Sequence, residues 1–469
     1  MTEQKYGIGM VGLGVMGRNL VLNIADHGFA VSGYDKDLSQ VQELQKETGS
    51  RTINSARDLD EFVKALSTPR TIMLLVPAGG TVDLVIRELI PHLGQGDLII
   101  DGGNSHFKDT DLRAKSLAEK GILYMGVGVS GGEEGARRGP SLMPGGPPEA
   151  YQRVRPILEA VSAHVDGSPC VTYLGPRSAG HYVKMVHNGI EYGLMQLIAE
   201  SYDLMKRGLG MSDEELSVIY GDWNKDVLNG FLMEITSRIF TQVDVRTGKP
   251  LIDVILDEAR QKGTGMWTSQ DAMDLQVPTP VIDAAVTARN LSAMKSERES
   301  AGRNIKVRPA PFRGEPDAVV GQLKNALHAA MIITYAQGMA QLQAASRVYE
   351  YGLKLEDVAR IWRGGCIIRA ALLEDIRSAY QADRDLPNLL VDGQLGKTAA
   401  AGQKDLRKIV VLAVKLGLPV PCLAASLAYF DGYRSAWLPA NLIQAQRDDF
   451  GAHTYERVDA KGVFHTLWE

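Results

Sequence analysis

The densest group of reactive side chains in the chain is His181-Tyr-Val-Lys184-Met-Val-His187-Asn188-Gly-Ile-Glu191-Tyr192. Lys184, His187, Asn188 and Glu191 are spaced i, i+3, i+4, i+7, so a helix would carry all four on one face. Val183, Met185, Val186 and Ile190 are left to pack elsewhere. Helical rise separates Lys184 from Glu191 by roughly 10 Å along the axis, and two long side chains can converge across that span on a short carbon fragment. The geometry suits a base at one end of a substrate and an acid at the other. The competing reading is a solvated face with a charged pair two turns apart.

A chain of 469 residues exceeds one ordinary core, so two or three domains must position this stretch. Hydrophobic content of 45% and charged content of 23% are those of a soluble globular protein. A net charge of −5 argues against a general nucleic-acid role. Cys170, Cys366 and Cys422 are far apart and form no CxxC pair, which predicts a reducing, cytoplasmic setting. The opening Met1-Thr-Glu-Gln-Lys-Tyr6 has no signal-peptide pattern. No uninterrupted apolar run of about 18 residues occurs; residues 409–430 are broken by Lys415, Pro419 and Pro421. No membrane span is expected.

The N-terminal third reads as alternating strands and helices. A strand over 6–11 runs into Gly12-Leu13-Gly14-Val15-Met16-Gly17 and a helix over 18–27. This is GxGxxG in the setting it needs: Gly12 for the turn, Gly14 for backbone approach to a pyrophosphate, Gly17 for close helix–strand packing. Unpaired N–H groups and the helix dipole then hold phosphate. A second strand over 29–34 ends in Asp35, where a carboxylate accepts from a free ribose 2′-OH and repels a 2′-phosphate. Asp37 adds to that repulsion and Lys36 partly offsets it, so NAD is favoured over NADP. Strands over 70–76, 97–100 and 123–129 lead into Val76-Pro77-Ala78, Asp101-Gly-Gly-Asn104-Ser105 and Ser130-Gly131-Gly132. Loops at strand C-termini are where a doubly wound sheet binds ligands. One more strand is read over 166–172, and a hinge over 177–180.

From His181 helical periodicity takes over, with long segments over 184–206, 213–220 and 318–351. Val183-Lys-Met-Val through Gly208-Leu-Gly-Met and Leu232-Met-Glu-Ile is echoed by Leu323-Lys-Asn-Ala, Gly352-Leu-Lys-Leu and Leu373-Glu-Asp-Ile. The spacing is far longer than a solenoid unit and predicts a duplicated helical subdomain. Tyr335, Gln337 and Gly338 replace the reactive pattern in the second copy, which leaves it structural duty. Between the copies, Lys262-Gly-Thr264-Gly is a candidate anion cradle, the ammonium and hydroxyl meeting phosphate oxygens. Arg289 can add a planar fork. The last residues, 438–469, hold Arg447 and His453 and either fray or reach a neighbouring subunit.

Assembled, these motifs resemble the 6-phosphogluconate dehydrogenase family of the β-hydroxyacid dehydrogenase superfamily, nearly end to end. The most specific pieces are Asp101-Gly-Gly-Asn-Ser, Gly128-Val-Ser-Gly-Gly-Glu-Glu-Gly-Ala, Gly139-Pro-Ser-Leu-Met-Pro-Gly-Gly, Val183-Lys-Met-Val-His-Asn-Gly-Ile-Glu-Tyr, Lys262-Gly-Thr-Gly and Phe450-Gly-Ala-His-Thr-Tyr-Glu. The resemblance implies an α/β Rossmann-type domain (1–178), a large all-α domain with duplicated halves that dimerises (179–436), and a tail entering the partner (437–469). It implies oxidative decarboxylation of 6-phospho-D-gluconate to D-ribulose 5-phosphate and CO₂, with reduction of NAD or NADP, as in the pentose phosphate pathway.

By that resemblance Lys184 is the general base and Glu191 the general acid. Asn104, Ser130, Gly131, Gly132, His187, Asn188 and Tyr192 hold the sugar acid, and Lys262, Thr264 and Arg289 its phosphate end. Arg447 and His453 come from the other subunit of a homodimer. The dinucleotide lies on Gly12 to Gly17, Asp35, Lys36, Asp37, Val76, Pro77, Ala78 and Asn104. No metal is called for, and no His/Cys/carboxylate cluster has metal-ligand spacing.

Three positions depart from the family pattern. Asp35-Lys36-Asp37 stands where NADP-using members commonly carry Asn-Arg-Thr or Asn-Arg-Ser. Met266 replaces a Lys after Gly-Thr-Gly, and Leu194 replaces an Asp after Glu-Tyr-Gly. The alternatives are a β-hydroxyacid dehydrogenase for a small unphosphorylated acid, opposed by Lys262, Thr264 and Arg447, and a non-catalytic dinucleotide sensor, opposed by the presence of both Lys184 and Glu191.

Overall fold

Short strands, most of them apolar and buried on both faces, build a mostly parallel sheet. In the computed structural model, which describes residues 5–307 and 310–468, they are β1 (Ile8–Val11), β2 (Val31–Tyr34), β3 (Ile53–Ser55), β4 (Thr71–Leu74), β5 (Leu98–Asp101), β6 (Leu123–Ser130) and β7 (Ser141–Gly145). Residues 1–4, part of the stretch read as lacking a signal-peptide pattern, lie outside the described residues. The sheet order is β3-β2-β1-β4-β5-β6-β7, parallel as far as β6, with β7 antiparallel to β6. Leu20, Val21, Ile24, Val154 and Leu158 cover one face, and Phe62, Val82, Val85 and Leu89 the other. Each such side chain contributes about 1.5–3 kcal/mol on burial. Strand order reverses between β1 and β4, so a crevice opens at their carboxyl ends.

The expected Rossmann-type unit is present, with altered boundaries. The first helix is Val15–Asp26 and so starts three residues before the expected position. A Cβ on Gly17 would sit 1.8 Å from the Gly12 carbonyl oxygen, so the third glycine lies inside the opening turn. Neither β3 nor β7 was anticipated, because neither carries a long apolar run. The strand expected over 166–172 is instead a hairpin, His164–Val165 against Ser168–Pro169. Asp166 (φ +50°) and Gly167 (φ +73°) make its two-residue turn, a local signal that outweighs β propensity.

The junction read as a hinge is tightly packed. A Cβ on Gly180 would lie 2.1 Å from the Met143 carbonyl oxygen, and one on Gly128 would lie 2.4 Å from Cβ of Lys184. The helix Ala179–Asp203 therefore rests directly on β6 and β7. It crosses the 33-residue helix Pro316–Val348 at an equally close approach, a Cβ on Gly338 falling 2.4 Å from Cγ1 of Ile190. Tyr335, Gln337 and Gly338 are buried in that crossing. The echoed segments meet as near-symmetric mates: Phe231 N–H donates to Arg369 O, and Ala371 N–H to Asn229 O, each at 3.0 Å. These bonds join the starts of the helices Phe231–Ile239 and Leu372–Ala382. No helix among the described residues is long and apolar enough to cross a membrane.

Candidate active site

Residues 184–191 are helical, and their reactive face meets the end of β6. Lys184 is only 4% exposed, and its Nζ lies 3.3 Å from Nδ1 of His187. Oε2 of Glu191 is 3.8 Å from the same Nδ1, and that carboxylate is 19% exposed. The amine and the carboxyl therefore converge on one imidazole. Burial pushes the Lys184 ammonium below its usual range, with the Glu191 charge opposing. Burial raises the Glu191 carboxyl, with Lys184 and Arg289 opposing. His187 falls well below the ordinary histidine range through burial and the Lys184 charge. Burial thus shifts all three groups toward their uncharged forms.

The hydrogen bonds fix a direction. Asn188 Nδ2 donates to Thr264 Oγ1 at 2.9 Å, so Asn188 Oδ1, 3.0 Å from His187 Nδ1, accepts from it. With its proton on Nδ1, His187 presents an acceptor Nε2 to the Ser130 hydroxyl 3.4 Å away. Nδ1–H also faces Lys184, which suits an uncharged amine better than an ammonium.

Thr264 opens the helix Thr264–Asp274 after Gly263 (φ +104°) and is buried, with Lys262 exposed beside it at the helix N-terminus. The Arg289 guanidinium stacks 3.5 Å from the centre of the Tyr192 ring, and its Nη1 donates to Arg260 O at 3.1 Å. Gly265 lets this helix approach, since a Cβ there would fall 2.3 Å from the Tyr192 ring. Asn188, Tyr192, Thr264 and Arg289 thus form one cationic, N–H-rich end beyond Glu191.

The two strand-end loops are tied together. Asn104 (φ +55°) donates through Nδ2 to Val129 O at 3.1 Å and accepts from Val129 N–H at 2.9 Å. These bonds align β5 with β6 and use one N–H and one lone pair of an amide that has two of each. Gly131 and Gly132 both have positive φ, and Gly132 has open space where a side chain would stand.

The residues around the first glycine turn fit a dinucleotide. Gly12 (φ +96°) lies against the Leu75 carbonyl, where a Cβ would come within 2.5 Å, and Gly14 borders open space at the helix N-terminus. Val15 is half exposed there, while Leu13 is buried and Met16 partly so. Leu13 N–H donates to Asp35 Oδ2 at 2.7 Å, and Asp37 N–H to Asp35 Oδ1 at 2.9 Å. Asp37 caps the next helix by accepting from Ser39 N–H. A cavity of about 330 Å³ opens here between Gly12, Gly14, Asp35, Lys36, Val76 and Pro77; Ala78 is exposed beside it.

Arg447 and His453 are not brought to this site within the chain. Arg447 donates to Gln444, and His453 stacks edge-on against Phe450, all within the tail. The spacing gave no sign of Trp362, whose ring meets His187 edge-on at 5.5 Å, or of Cys366, buried near Lys184. Gly365 O accepts from Ser141 N–H at 2.7 Å and lies against Gly131. The second helical half therefore backs the site from a loop with no periodicity to flag it. Among the described residues, no group of three or more His, Cys, Asp or Glu is placed to hold a metal ion.

Comparison with known proteins finds similarity along nearly the whole chain. Residues 7–175 match the NAD binding domain of 6-phosphogluconate dehydrogenase, and residues 180–468 match its C-terminal domain. A Bacillus subtilis protein named 6-phosphogluconate dehydrogenase, NADP(+)-dependent, decarboxylating, is 53% identical, the alignment covering 99% of each chain. A Synechococcus elongatus 6-phosphogluconate dehydrogenase, decarboxylating, is 51% identical over 100% of both chains. The Plasmodium falciparum 6-phosphogluconate dehydrogenase, described in apo form and in complex with NADP+ and with 6-phosphogluconate, superposes with a TM-score of 0.94. It is 44% identical and is matched over 98% of this chain and 100% of its own.

Proposed function

The chain belongs to the 6-phosphogluconate dehydrogenase family, and from that premise we propose how its residues perform the family's reaction. It oxidatively decarboxylates 6-phospho-D-gluconate to D-ribulose 5-phosphate and CO₂ with a nicotinamide dinucleotide. The observation that carries the assignment of roles is the buried amine and the partly buried carboxyl flanking His187 on one helix face.

When bound, the nicotinamide ring would accept the hydride that leaves C3 of the substrate. Neutral Lys184 takes the proton of the substrate's C3 hydroxyl; lysine's ordinary pKa of about 10.4 would forbid this at neutral pH, and burial is what lowers it. The resulting 3-keto acid loses CO₂ because the ketone accepts the electrons released. Protonated Lys184 and the Ser130 hydroxyl steady the enolate that develops. Glu191, kept protonated by burial, delivers a proton to C1. Asn104, Ser130, Gly131, Gly132, His187, Asn188 and Tyr192 orient the sugar acid, and Lys262, Thr264 and Arg289 hold its phosphate.

Gly12 to Gly17 cradle the dinucleotide phosphates with Val76, Pro77 and Ala78 alongside. Asp35 accepts from a ribose 2′-OH, so NAD is preferred over NADP. The tail (437–469) acts on a second copy of the chain, where Arg447 and His453 complete the phosphate site. Leu442, Ile443 and Phe450, exposed at 61%, 59% and 74%, support a tail that seeks a protein surface. The Rossmann unit (1–178) and helical unit (179–436) then enclose the reaction in a cytoplasmic homodimer.

Absorbance near 340 nm, followed with 6-phosphogluconate or gluconate and each dinucleotide in turn, tests this reading. Reduction only with the phosphorylated acid, faster with NAD, is the expected result. Equal turnover of gluconate would remove the phosphate assignment, and faster NADP reduction would remove the cofactor preference.

A further inference from the structure

The cavity at the end of β2 is closed on its far side by the helix Gly80–Leu89, which turns Thr81, Leu84, Val85 and Glu88 toward it. Asp35 and Lys36 form the opposite wall. Lys36 Nζ donates to Glu88 Oε1 at 2.6 Å, so an ion pair links the strand end to the helix across two lining residues of the cavity. Lys36 is the single basic side chain among the described residues lining this cavity.

Each charge here has a fixed task. The Asp35 oxygens are held by the N–H groups of Leu13 and Asp37, so the carboxylate cannot turn from the cavity without breaking both. Asp37 faces Ser39 in its own cap. Of the described residues lining the cavity, Lys36 alone can neutralise a phosphate on the ribose, and it is already paired with Glu88.

We propose that Glu88 is a specificity-determining residue for the dinucleotide, acting by holding Lys36 on the helix Gly80–Leu89 and leaving Asp35 unopposed. This rests on the reading that the cavity receives the adenosine end. A 2′-phosphate entering here must pull Lys36 away from Glu88 before the ammonium can offset Asp35. A 2′-hydroxyl requires neither. The pair is partly exposed, side chains 58% and 43%, so its influence is moderate and screened by salt.

The test is calorimetric titration of NAD+ and NADP+ into the native enzyme, Glu88→Gln, Lys36→Met and the double variant, at low and high salt. Glu88→Gln should tighten NADP+ roughly five-fold relative to NAD+, and less at high salt. In the Lys36→Met background the same change should bring no gain. An unchanged NADP+ to NAD+ ratio in Glu88→Gln would overturn the proposal. So would an equal gain without Lys36, which would mean that Glu88 acts by its own charge. If Asp35→Asn also leaves both affinities unchanged, the adenosine assignment of the cavity fails, a result distinct from failure of Glu88 alone.

Discussion

Nζ of Lys184 stands 3.3 Å from Nδ1 of His187, inside a site where burial disfavours charge on either. The arrangement readies the amine as a base and burdens the fold. An unfolded lysine titrates at about 10.4, and the folded one lower. The unfolded chain thus binds the proton more tightly, and the penalty is full below the folded pKa and vanishes as pH rises through the unfolded one. Lys184→Met should therefore raise stability by about 0.5–2 kcal/mol at neutral pH, as removal of a strained functional group commonly does. Denaturant unfolding at pH 7 checks this, and a destabilised variant would contradict it.

Glu191 works in its protonated form, and burial raises its pKa. The rate should rise with pH as Lys184 loses its proton and fall again as Glu191 ionises. Glu191→Gln should lower kcat by roughly 10²- to 10⁴-fold and erase the alkaline limb. A pH profile of the variant that keeps its alkaline limb would assign that limb elsewhere.

Glu200 supplies a second titration, unrelated to turnover. Its carboxylate is 2% exposed and accepts from the N–H groups of Cys422 and Leu423, at 2.8 and 2.9 Å, at the start of the helix Pro421–Tyr433. Burial pushes its pKa up to about 7 against those donors. A raised carboxyl binds its proton more tightly folded than unfolded, so stability falls as pH rises from about 4.3 toward the folded value near 7. Thermal unfolding between pH 5 and 8 should show this slope, flattened in Glu200→Gln.

Asp448 organises the tail. Fully buried, it accepts from Thr454 N–H, His465 Nδ1, Thr466 N–H and Trp468 Nε1, all within 3.0 Å. Burial works to raise its pKa, yet these donors bring it to about 2. Its stabilising effect is present above the unfolded value near 3.9 and is lost as pH falls through about 2. Asp448→Asn should speed hydrogen exchange over 454–466 and raise KM for 6-phosphogluconate more than it lowers kcat. Unchanged exchange would show that the tail is held by other contacts.

Much of the site was legible because helical spacing is rigid: once 184–191 is a helix, Lys184, His187, Asn188 and Glu191 must share a face. The glycine turn was legible for the same reason, each glycine answering a steric demand. What periodicity could not supply was contact between distant loops. Trp362 and Gly365 reach His187 and Gly131 only because the two helical halves meet, and Glu88 reaches Lys36 only across the folded crevice. The hairpin over 164–169 was hidden because two-residue strands carry too few side chains to show alternation.

Lys184 is the base on which every later step depends, and Lys184→Met tests that role most directly. The variant, given saturating 6-phosphogluconate and NAD, is followed near 340 nm while calorimetry measures its affinity for both ligands. Ligand binding within about three-fold of native, with dinucleotide reduction slowed by at least about 100-fold, is the predicted result. Reduction at close to the native rate would mean that another group removes the hydroxyl proton, and the mechanism would fall.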